Sequence, residues 1–160
     1  MKCMGDEIVY LTKEIKEYYM NDFTKNVVNC SDKYWGLDKG LLEICTDINK
    51  NNNVQTLYSR KYLGGRYDQN SYLWILISES VLEETVDKFY YDCRTKLRNF
   101  GIECYQAPES IINDRKDITN LCVTDPNYLQ YGFIAISLYS NKLKDHKFFW
   151  EKIHEHLINW

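Results

Sequence analysis

The sequence predicts an α+β fold: a single domain over residues 1–160, with an antiparallel or mixed sheet of about five strands and helices mainly on one face. Two observations carry this reading. The runs Ser71–Ser78 and Tyr128–Tyr139 are dense in β-branched and aromatic residues, as strands buried on both faces are. Each is followed by a stretch whose apolar residues recur at helical spacing. A chain of 160 residues buries about 70% of its unfolded surface, so the core needs no metal or disulfide staple.

In chain order, Glu7–Asn29 places Ile8, Leu11, Ile15, Tyr18, Tyr19, Phe23 and Val27 on one side. Lys13, Glu14, Lys16 and Glu17 fill the other, which predicts an amphipathic first helix. A loop with Trp35 follows. Leu41–Ile48 alternates as a strand does, and Asn49–Asn53 is a turn because Asn tolerates left-handed backbone angles. Val54–Leu63 reads as the returning strand of a hairpin, so residues 41–78 form a three-stranded antiparallel meander. Ser80 and Glu83 have capping-box spacing, and Leu82, Val86, Phe89, Cys93, Leu97 and Phe100 make one helical stripe that Gly101 is placed to end. Ile102–Tyr105 is a short strand, residues 106–127 are a long loop with both prolines, and Lys142–Trp160 is the closing helix.

A shift of 59 residues lays Tyr72, Ile75, Ile77 and Ser78 on Tyr131, Ile134, Ile136 and Ser137, and Lys88-Phe89-Tyr90-Tyr91 on Lys147-Phe148-Phe149-Trp150. Both segments are strand-then-helix. The match suggests a βα internal repeat over 70–100 and 129–159. Shared constraint on buried strands before amphipathic helices is the simpler account of it.

Composition narrows the function. With 44% hydrophobic and 27% charged residues the chain lies far from the disordered class. A net charge of -3 argues against a nucleic-acid partner, and no apolar run approaches the length of a membrane span. The N-terminal residues do not read as a signal peptide. Six scattered cysteines without a CxxC read as reduced thiols of a cytoplasmic protein.

No convergent catalytic set stands out, and the pattern implies no cofactor and no metal. The three histidines all fall in the closing helix. His154 and His156, two apart, point about 200° from one another, so they cannot share an ion and read as surface residues. Glu43 and Asp47, four apart on a strand, would sit about 13 Å apart, too far to share a proton. Arg60, Gly65 and Arg66 form a candidate anion seat, but no helix follows the glycines, so a hairpin turn is the simpler account.

The outward face of the central helix carries Glu83, Glu84, Asp87 and Asp92, with Tyr91 among them. A solvated helix face explains acids near a helix start. The functional reading is a surface that docks a basic protein, where charge steers encounter and Tyr91 supplies contact area. The expectation is therefore a small cytoplasmic interaction protein that binds and blocks another macromolecule, in the manner of an immunity protein or a viral or phage inhibitor. The alternative is a small enzyme or ligand-binding domain with its site at the Gly64–Asp68 turn and the 106–127 loop.

Overall fold

Asn70–Ile77 and Phe133–Tyr139, drawn from the two most apolar runs of the chain, lie side by side in the middle of one sheet, while residues 128–132 of the second run lie outside the described residues. The computed structural model describes residues 10–25, 40–62, 64, 69–105 and 133–160. Among these the elements are α1 (Lys13–Phe23), α2 (Leu41–Asn49), β1 (Val54–Arg60), β2 (Asn70–Ile77), α3 (Glu83–Arg94), β3 (Phe100–Tyr105), β4 (Phe133–Tyr139) and α4 (Leu143–Leu157). The sheet order is β1-β2-β4-β3 and every pairing is antiparallel.

Period-two side-chain placement sorts the central strands between two clusters. Leu73, Ile75 and Ile77 of β2, with Ile134, Ile136 and Leu138 of β4, meet Leu41, Cys45 and Ile48 of α2, Val86, Phe89 and Cys93 of α3, and Phe149, Trp150, Ile153 and Leu157 of α4. On the opposite face Leu57, Tyr58, Leu76, Phe133 and Ala135 pack with Leu11, Ile15 and Tyr19 of the α1 segment. A register shift between Thr56 and Tyr58 in β1 accompanies the placement of both Leu57 and Tyr58 in that second cluster. Trp74 is half-buried rather than inaccessible, stacked on Phe133 at 4.4 Å with Tyr58 edge-on at 5.0 Å.

Four strands, not about five, make up the sheet among the described residues, because Leu41–Ile48 is helical. Leu41, Cys45 and Ile48 are spaced four and three apart and are all buried, which is a helix stripe. Gly40 precedes them with φ at 92°, an angle that glycine adopts without strain. The meander is therefore a single β1–β2 hairpin with α2 packed on it. Asn49 ends α2 instead of opening a turn, while Asn51 and Asn53 hold the far end of α4: Asn51 Nδ2 donates to the Leu157 and Trp160 carbonyls, and Asn53 Nδ2 to Trp160.

The central helix differs at both ends from its expected bounds. Ser80 does not cap it; its hydroxyl donates to Asn53 Oδ1 at 3.0 Å, and Leu82, at the N-cap, is 63% exposed. The helix stops at Arg94, Leu97 is buried beyond it, and Phe100 and Gly101 open β3. In α1, the Thr12 hydroxyl accepts the Ile15 N–H at 3.2 Å, so the helix starts later than Glu7, whose own position lies outside the described residues.

Lys16, assigned by spacing to the solvent face, is only 7% exposed. Its ammonium donates to the carbonyls of Asn49, at 2.7 Å, and Val54, at 2.5 Å, pinning α1 to the α2–β1 corner. Periodicity places a side chain on a face; a four-carbon stem lets the charge leave it.

Candidate functional site

The acids of α3 stand where helical geometry sends them. At 3.6 residues per turn, Glu83, Asp87, Tyr91 and Glu84 share an arc of about 100°. All four are exposed, with Tyr91 at 64%, while Val86, Phe89 and Cys93 fill the buried side. Asp92 lies beyond that arc and points elsewhere: His156 Nε2 sits 3.0 Å from its Oδ2. The structure thus groups four of the five candidate partner-binding residues and gives the fifth an intramolecular contact.

Arg60 ends β1, opposite Tyr72. Gly65 and Arg66, the rest of the anion seat, lie outside the described residues, as do most of the Gly64–Asp68 turn and the whole 106–127 loop. Gly64 itself has φ at 91°, as a turn there requires.

The histidines are not simple surface residues. His146 is 2% exposed, with Nδ1 2.7 Å from the Ser71 hydroxyl and Nε2 2.7 Å from the Ser140 carbonyl. A carbonyl only accepts, so Nε2 carries a proton and donates to it. The Ser71 hydroxyl also accepts the Tyr62 N–H, at 2.9 Å. The divergence expected of His154 and His156 is present and has a use. His154 Nε2 reaches Asp47 of α2 at 2.8 Å, while His156 reaches Asp92 of α3, so α4 is tied to the helices on both sides. Hydrogen bonding from His154 holds the Asp47 carboxyl below its ordinary range, with Lys50 adding to the effect. Glu43 and Asp47 now lie one helical turn apart on α2.

Among the described residues no group of three or more His, Cys, Asp or Glu is arranged to hold a metal ion. Cys45 and Cys93 are free and buried, and desolvation pushes both thiols up to about 12, far from the reactive range. No helix among the described residues is long and apolar enough to cross a membrane. Two side chains that sequence reasoning assigned elsewhere, His146 and His154, also line a cavity against α2. The i, i+2 spacing of His154 and His156 was the signal that they serve different neighbours.

A scan against protein-family models finds no match, and searches of curated proteins and of solved structures find no significant similarity.

Proposed function

We propose that this protein binds a basic surface on another protein through the outward face of α3, and blocks whatever that surface serves. One observation carries the reading: Leu82 and Tyr91, 63% and 64% exposed, flank the exposed carboxylates of Glu83, Glu84 and Asp87. Carboxylates steer a cationic partner, and apolar contacts hold it once water is displaced. A face of this kind competes with the acidic ligand of a basic surface, which is how an immunity protein or a phage or viral inhibitor acts. The unpaired thiols of Cys45 and Cys93 suit a reducing compartment, in keeping with a cytoplasmic site of action.

We also read β2–α3 and β4–α4, within residues 70–100 and 129–159, as copies of one βα unit. In support, Ile75 and Ile134, which correspond under the 59-residue shift, are direct cross-strand partners, and Trp74 stacks on its counterpart Phe133. The second copy is then free to carry a different surface.

The test is affinity capture with wild-type protein and with the Glu84→Lys/Asp87→Lys and Tyr91→Ala variants, followed by mass spectrometry. A basic protein retained by the wild type and lost from both variants is the expected result. Equal retention by all three places the interface off α3 and overturns the reading.

A further inference from the structure

The cavity between α2 and α4 has a volume of about 480 Å³, within the range of small-molecule sites and too small for a folded partner. Ile44, Tyr62, Leu143 and Trp150 give it apolar walls, two of them aromatic. Lys61, Lys144 and Lys147 supply cationic groups, against the single carboxylate of Glu151 in the lining. His154, the remaining basic contributor beside buried His146, is engaged by Asp47.

Two further features bear on what fits there. A Cβ on Gly40 would lie 3.3 Å from Lys61 Nζ, so that ammonium sits at the N-terminal end of α2, where the helix dipole is also positive. Trp150 is 3% exposed, and its indole Nε1 is buried with no hydrogen-bond partner among the described residues. A buried donor without an acceptor is costly and rare in folded proteins. Lys144 and Lys147, both exposed, have no carboxylate within ion-pair distance among the described residues. Leu143, 60% exposed, offers apolar surface at the mouth.

We propose that this cavity is a binding site for a small molecule that carries an anionic group on a flat aromatic body. The body lies against the Tyr62 and Trp150 walls, and the anion is held among Lys61, Lys144 and Lys147. The site lies across α4 from the α3 face and does not depend on it. An aromatic carboxylate and a nucleoside monophosphate share this chemistry, and the experiment separates them.

The full chain, labelled with ¹⁵N, is titrated with indole-3-acetate and separately with adenosine monophosphate, with indole-3-acetamide and adenosine as uncharged controls. The Trp150 indole resonance, identified by its loss in Trp150→Phe, is expected to shift and saturate with one of the two anions, which names the anion class. The matching uncharged control is expected to bind at least about tenfold more weakly, the ordinary worth of a hydrogen bond to a charged group. Lys144→Glu/Lys147→Glu, two exposed changes that leave the core intact, is expected to weaken the anion by a similar factor. Failure of both anions to move the indole resonance at millimolar concentration overturns the proposal, and so does anion affinity unaltered in the double-lysine variant. Should Trp150→Phe fail to fold, the lysine variant and the uncharged controls still decide the outcome.

Discussion

Ser71 of β2 and His146 of α4 meet at 2.7 Å, hydroxyl to Nδ1, in the interior of the protein. The distance is that of a nucleophile and its base, but Ser71 is 0% exposed and its oxygen also takes the Tyr62 N–H, so the pair is structural. Ser71→Ala leaves that N–H and the imidazole Nδ1 without partners. Urea denaturation should show a loss of about 1–3 kcal/mol. A loss under about 0.5 kcal/mol, the surface value, contradicts the buried network.

Lys16 makes stability depend on pH in the alkaline range. Burial lowers its pKa from 10.5 to about 8, so between those values the folded protein has released a proton that the unfolded chain still holds. The unfolded state binds more protons there, and stability therefore rises with pH, by on the order of 1–3 kcal/mol across the window. Lys16→Met removes this component. Denaturation at pH 7.5 and pH 10 should show the wild type gaining on the variant; parallel profiles would put the ammonium in solvent.

Ile75 is 0% exposed and is paired with Thr56 on one side and Ile134 on the other. Ile75→Ala should cost about 2–5 kcal/mol through lost burial and the cavity left behind. Chemical denaturation giving under about 1 kcal/mol is incompatible with a central strand.

Thiol reactivity follows from burial. With pKa values pushed up to about 12, Cys45 and Cys93 carry almost no thiolate at neutral pH. Alkylation followed by peptide mass spectrometry should find both unmodified in the native protein. In denaturant without reductant, all six cysteines should react. A count of two or four there reveals disulfides and an oxidising compartment.

The strands that anchor the fold were legible because long apolar runs admit few alternatives; β2, β4 and the α4 stripe lie close to where spacing places them. Leu41–Ile48 resembles a strand in sequence because over eight residues a helix stripe at 41, 45 and 48 also satisfies loose alternation. Gly101 has the placement of a helix terminator, yet a strand uses it without a positive φ. Charged residues were the poorest guide. Lys16 is buried by carbonyls supplied from residues 33 and 38 positions away, and the aspartates beside His154 and His156 come from two other helices. The cavity draws on α2, the segment after β1 and α4, and no local pattern in the sequence joins those pieces.

The position of β4 between β2 and β3 sets a timetable for folding. β1 and β2 are near neighbours in sequence and can pair early, but the other edge of β2 waits for residues 134–139. At ribosomal rates of about 5–20 residues per second, the intervening chain takes roughly 3–11 s to emerge. During that interval a strand as apolar as Tyr72–Ile77 offers open N–H and C=O groups to any other chain. Closing so long a loop is also slow on entropic grounds. A chain cut before Phe133, which leaves that edge of β2 open, is therefore expected to be recovered as aggregate.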